Sequence, residues 1–127
     1  MSDNKKILVV DDDQDLLMGL GMRLRASGYD VVTASDSYTA VATARKESPD
    51  LMILDLGLPA GEGFLVMERM QTISDLSNLP VIVLSARDPI GNRDKSHRLG
   101  ARAYFKKPAN NTDLLEAIED ALSATPV

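Results

Sequence analysis

Four runs of β-branched and aliphatic residues are spaced along the chain: Ile7-Leu8-Val9-Val10, Val31-Val32-Thr33-Ala34, Leu51-Met52-Ile53-Leu54 and Val81-Ile82-Val83-Leu84. Runs without regular polar alternation suit strands buried on both faces of a parallel sheet. A weaker fifth candidate is Ala103-Tyr104-Phe105. Helical patterns lie between the runs. Leu16, Leu20 and Leu24 share one helical face, and Gly28 stands where that helix would end. Ala40, Val41 and Ala44 mark a second helix, capped by Asp36 or Ser37. Val66, Met67, Met70 and Ile73 mark a third, and the stretch from Ile90 to Leu99 a poorly amphipathic fourth. Leu114, Leu115, Ile118, Ala121 and Leu122 mark a fifth, with Asn110-Asn111 ahead of it as caps.

Such alternation implies an α/β fold, a parallel sheet covered by helices on both faces with right-handed crossovers. The expected architecture is a (βα)5 three-layer sandwich. Periodicity leaves the strand order open; 2-1-3-4-5 is the flavodoxin-like possibility. A length of 127 residues suits one domain spanning 1–127, with its core over 6–122 and 123–127 as a tail or the start of a linker.

Composition removes several function classes. There is no cysteine, hence no disulfide framework and no thiolate nucleophile or metal site. The single histidine, His97, cannot form a metal cluster and reads as a surface residue. A net charge of −5 argues against nucleic acid as a direct partner. The start, Met1 to Lys6, is polar, and no apolar stretch is long enough for a signal-peptide core or a membrane span. The expectation is a cytoplasmic protein with no membrane partner. Met18, Met22, Met52, Met67 and Met70 read as core or core-edge fillers. Arg93-Asp94-Lys95 reads as a solvated helix face, and Ser74 to Leu79 as an exposed connector.

The residues that follow the strands are chemically selective. The first strand runs into Asp11-Asp12-Asp13, the third ends at Asp55 and the fourth at Ser85, and Lys106-Lys107-Pro108 follows the fifth. In open α/β sheets, sites form beyond the carboxyl ends of the strands, so these groups would meet. Taken singly, each has a plainer reading: an aspartate after a strand is usually a turn or cap, and Asp13 and Asp15 are the best candidates for capping the first helix. Together they suggest more. Clustered carboxylates repel unless a cation joins them. Mg2+ suits an all-oxygen site that also receives phosphate oxygens, a lysine supplies a point charge for phosphate, and a carboxylate can accept a phosphoryl group. The pattern therefore reads as phosphoryl transfer.

From Lys6 to about Leu122 the chain resembles the receiver domains of two-component response regulators, of the chemotaxis-regulator type. The resemblance is carried by Ile7 to Asp13, by Pro49 to Pro59 (PDLMILDLGLP), by Pro80 to Ala86 (PVIVLSA) and by Gly100 to Pro108 (GARAYFKKP), in that order and spacing. It implies that Asp55 is the phosphoacceptor. By the same resemblance Asp12 ligates Mg2+ directly, Asp11 acts on it through water, and the Gly57 backbone carbonyl is a further ligand. Ser85 matches the hydroxyl that bonds the transferred phosphate, and Lys107 the phosphate-binding lysine, with a cis bond to Pro108 expected. Lys106 is its solvated neighbour. Tyr104 matches the aromatic switch, which in that family turns inward. The implied partners are a sensor histidine kinase or histidine phosphotransfer protein as donor, and a downstream protein or an effector domain as target. Output through the fourth helix, fifth strand and fifth helix, and dimerisation on phosphorylation, are family habits. Such a protein is a signalling domain rather than a turnover enzyme. The sequence departs from the usual pattern at Glu62-Gly63, where Asp-Gly is commoner, and at Ala109, where a bulky apolar residue is usual. Gly57 and Arg87 occupy variable positions that tune dephosphorylation.

Three other readings compete. An aspartate-nucleophile, Mg2+-dependent phosphatase of the haloacid-dehalogenase type would use the Asp-x-Asp of Asp11 to Asp13. It would want threonine or valine where Asp15 stands, and a cap domain for which there is no room. A flavodoxin-like electron carrier would need a hydroxyl- and glycine-rich loop after the first strand, where an acidic loop would repel a flavin phosphate. A degenerate receiver acting only as an interaction module would lack part of the set Asp11, Asp12, Asp55, Ser85 and Lys107.

Overall fold

The structure, a computed structural model, describes residues 3–59 and 62–123. The expected tail after Ser123 lies outside the described residues. Strands and helices alternate as β1 (Lys6–Val10), α1 (Gln14–Ala26), β2 (Asp30–Ala34), α2 (Ser37–Glu47), β3 (Leu51–Leu54), α3 (Glu62–Gln71), β4 (Val81–Ser85), α4 (Pro89–Arg98), β5 (Ala101–Lys106) and α5 (Asn111–Ser123). All pairings are parallel, in the order β2-β1-β3-β4-β5. The α/β class and the 2-1-3-4-5 order are thus as expected.

Side-chain alternation along the strands divides the interior into two cores. Ile7, Val9, Leu51, Ile53, Ile82 and Leu84 face α1 and α5 and pack with Leu17, Leu20, Leu24, Leu114 and Ile118. Leu8, Val10, Met52, Leu54, Val81 and Val83 face the other way, onto Ala40 and Ala44 of α2 and Phe64, Val66, Met67 and Met70 of α3. Because β1, β3 and β4 are covered on both faces, their runs carry no polar alternation. The edge strand β2 departs from expectation: Val31 and Val32 are only half-buried and Thr33 is exposed.

Local chemistry explains the ends. The Asp13 carboxylate accepts from the amides of Asp15 and Leu16 and caps α1; Asp15 lies in the first turn. Asp36 caps α2, and Asn110 accepts from the Thr112 and Asp113 amides at the start of α5. Gly28 follows the last turn of α1 with φ +96°, a conformation glycine adopts without steric penalty. α3 ends at Gln71, before Ile73. α4 is broken at Ile90 and Gly91 and buries only Ser96.

Two sequence readings are corrected. Met18 and Met22 are 67% and 64% exposed. They lie on the flank of α1 turned from the sheet, whereas Met52, Met67 and Met70 are buried as expected. The connector before β4 is not wholly exposed either, because Leu76 plugs the core beside α3.

Candidate functional site

The carboxyl ends of β1, β3, β4 and β5 bring Asp11, Asp55, Ser85 and Lys107 together. Asp11, Asp55 and Ser85 are buried, and Asp12 is exposed at the rim. Asp11, Asp12 and Asp55 each offer an oxygen within 4.8 Å of the others. The Lys107 ammonium lies 2.7 Å from Asp11 Oδ2 and 3.4 Å from Asp55 Oδ2. The Lys107–Pro108 peptide is cis.

Backbone donors aim the two buried carboxylates. Asp11 Oδ1 accepts from the Asp13 amide at 2.9 Å, so Asp13 caps the helix with its side chain while its N–H orients Asp11. Asp55 Oδ1 accepts from the Gly57 amide at 2.9 Å. The main chains are joined as well, the Asp11 amide donating to Ala34 O and the Asp55 amide to Val10 O.

Charge is unevenly balanced here. Burial pushes the Asp11 carboxyl above the ordinary carboxylate value and the Asp55 charge adds to the rise, against the Lys107 and Asp13 hydrogen bonds. Burial pulls Lys107 down, but its hydrogen bond to Asp11 and the two carboxylate charges outweigh that and hold it above the ordinary lysine value. Two buried carboxylates therefore share one ammonium, and Asp12 adds a third negative charge at the rim. An oxygen-only cluster with surplus negative charge and an open rim fits a hard divalent cation.

The Tyr104 ring is buried, and its hydroxyl donates to the Arg87 carbonyl oxygen at 3.0 Å. Ser85 Oγ accepts from the Arg87 amide at 3.2 Å. Serine, tyrosine and the β4–α4 loop thus form one bonded group. The family resemblance points to Ser85 and Tyr104, and the structure places both beside the Arg87 main chain, which no sequence pattern marks. Lys106 and His97 are exposed, as expected.

Residues 7–119 match the family model of the response regulator receiver domain. The chain belongs to the response regulator receiver family. The receiver is 40% identical over 105 residues to the alkaline phosphatase synthesis transcriptional regulatory protein PhoP of Bacillus subtilis, covering 83% of this chain and 43% of that protein. It is 31% identical to the protein PilH of Pseudomonas aeruginosa, over 93% of this chain and 98% of that one. A CheY-like receiver domain protein from Methanospirillum hungatei superposes with a TM-score of 0.86 at 32% identity, covering 94% of each chain. The chain spans about half the length of the first curated relatives it matches. It is a receiver of two-component phosphorelay signalling. Among the described residues, no helix is long and apolar enough to cross a membrane.

Proposed function

We propose that the chain accepts a phosphoryl group from a phosphohistidine onto Asp55 and passes the signal on through its α4–β5–α5 face. The observation that carries this reading is the convergence of Asp11, Asp12 and Asp55 at one end of the sheet, with the Lys107 ammonium between Asp11 and Asp55.

Asp11, Asp12, Asp55 and the Gly57 carbonyl would hold Mg2+, which when bound neutralises charge on the phosphoryl oxygens. A carboxylate oxygen of Asp55 attacks phosphorus in line. The new O–P bond forms as the P–N bond breaks, and the electron pair stays on the departing imidazole, which takes a proton from water. Lys107, already between the two buried carboxylates, is placed to take a phosphoryl oxygen. Ser85 turns from the Arg87 amide toward the phosphoryl group, and the loop carrying the Tyr104 acceptor moves with it. Beyond the site, the donor is a sensor histidine kinase or a histidine phosphotransfer protein, and the reader is a downstream protein or an effector domain. Exposed cations on α4 and carboxylates on α5 would let two copies pair on phosphorylation. Self-phosphorylation and self-dephosphorylation are the only chemistry assigned, in the cytoplasm and by one domain over 1–127.

Intact mass after incubation with Mg2+ and a small acyl phosphate tests the reading. Wild type should gain one labile phosphoryl group, and Asp55→Asn or added chelator should abolish the gain. An unchanged wild-type mass, or equal labelling of Asp55→Asn, would remove Asp55 from the role.

A further inference from the structure

Among the described residues, five polar side chains are buried: Asp11, Ser37, Asp55, Ser85 and Ser96. Three belong to the site already described, and Ser96 bonds back to Arg93 O within its own helix at 2.9 Å. Ser37 has a different partner. It is 5% exposed, and its hydroxyl donates to Glu62 Oε2, which joins the first residue of α2 to the first residue of α3. A hydroxyl given to a carboxylate makes a charge-assisted hydrogen bond, and here the serine end is buried while the glutamate end is partly exposed.

Each end of this bond adjoins one half of the carboxylate cluster. On the Ser37 side, the last residue of β2, Ala34, accepts the Asp11 amide at 3.1 Å. On the Glu62 side, Gly63 rests on the phosphoacceptor's own main chain. A Cβ at Gly63 would lie 2.8 Å from Asp55 O, a separation real Cβ atoms essentially never show. The start of α3 therefore moves with the Asp55–Leu56 peptide as one piece. Mutual repulsion drives the clustered carboxylates apart. The Ser37–Glu62 bond restrains the same two chain segments without using any cluster oxygen.

We propose that Ser37 and Glu62 are positioning residues for the Asp55 site, holding the Asp11 and Asp55 segments at the spacing a cation and a phosphoryl group require. The proposal rests on the phosphoacceptor reading above. It also gives the departure at Glu62 a role, since the longer acidic side chain reaches the serine.

Ser37→Ala, Glu62→Ala, Glu62→Gln and the double alanine variant separate the possibilities. Three quantities are read: amide exchange of Gly57 and Gly63 in metal-free protein, Mg2+ affinity by calorimetry, and the rate of acyl-phosphate labelling. Ser37→Ala and Glu62→Ala should each speed both amides and weaken Mg2+ binding by about tenfold, the lower end of what losing a supporting hydrogen bond around a metal costs. Glu62→Gln keeps an acceptor for Ser37 and should stay near wild type. The double variant should be no worse than either single one. Unchanged exchange and affinity in Ser37→Ala, additive losses in the double variant, or Glu62→Gln behaving as Glu62→Ala would each overturn the proposal. Wild type that neither binds Mg2+ nor labels would instead bring down the site reading beneath it.

Discussion

Lys107 sits closer to Asp11 than to Asp55, at 2.7 Å against 3.4 Å. The lysine proposed to meet a phosphoryl group on Asp55 is thus held mainly by the neighbouring carboxylate, and would have to shift its hydrogen bonds to reach such a group. Removing the ammonium leaves two buried carboxylates facing each other. Lys107→Met should lower metal-free stability at neutral pH by about 3 kcal/mol. The deficit should shrink as pH falls, because the folded variant takes up protons more readily than its unfolded chain. Denaturant unfolding at several pH values checks this; a pH-independent deficit would assign the loss to packing of the lysine stem.

The converse substitution should stabilise. Asp11 is buried and its carboxyl is raised by that burial, so in metal-free protein it opposes folding more than a neutral isostere would. Asp11→Asn should gain about 1 kcal/mol without metal, as substitutions that relieve functional strain do. The same variant should lose most of the rise in melting temperature that wild type shows on adding Mg2+. Thermal melts with and without Mg2+ read both effects, and a stabilisation by Mg2+ equal to wild type would place the ion elsewhere.

Ala109 leaves space. A cavity of about 180 Å³ lies among Leu16, Leu20, Leu84, Leu114 and Ala109, beside Lys107 and Pro108. Ala109→Leu should fill part of it and add about 1 kcal/mol. It should also slow amide exchange at the start of α5. A destabilised variant would show that the gap closes too tightly for a branched side chain.

Tyr104 carries a pH signature. Burial pushes its phenol above the ordinary value, with the Asp55 and Asp88 charges adding to the shift and the nearby Ser85 hydroxyl and Arg87 charge opposing it. The folded state therefore holds this proton more tightly than the unfolded chain, so the contribution is full below about pH 10 and is lost as pH rises through the folded value. At neutral pH Tyr104→Phe should cost about 1 kcal/mol, through the hydrogen bond to Arg87 O. The gap between the two proteins should close in alkali, as unfolding series from pH 7 to 11 would show.

Much of this was legible before folding. Continuous apolar runs announced β1, β3 and β4 because strands covered on both faces need no polar alternation. Asp11, Asp55, Ser85 and Lys107 could be grouped because each directly follows a strand or nearly so, and parallel strands deliver their carboxyl ends to one edge. Capping by Asp13 and Asn110 was visible too, since it depends on residues two and three places away. A methionine pattern does not say which flank of α1 meets the sheet, so it places Met18 and Met22 at the core although both are exposed.

What local sequence could not decide depends on register and on groups far apart in the chain. The pairing of β4 with β5 slips between Val81 and Ile82, so Ala101 pairs with Val81 but Ala103 pairs with Ile82. Without that irregularity, simple alternation would put Ala101, Ala103 and Phe105 on one face. With it, Ala101 and Tyr104 share the α2–α3 face while Ala103 and Phe105 turn to α1 and α5. The bulge aims Tyr104 at Arg87. Asp11 to Lys107 and Ser37 to Glu62 are likewise separations that no periodicity spans. Near neighbours and alternation are enough to place the main strands, most helix caps and the kinds of group at the strand ends. Which carboxylate holds the lysine, which face Tyr104 occupies and what braces the start of α3 follow instead from packing the whole sheet and its helices at once.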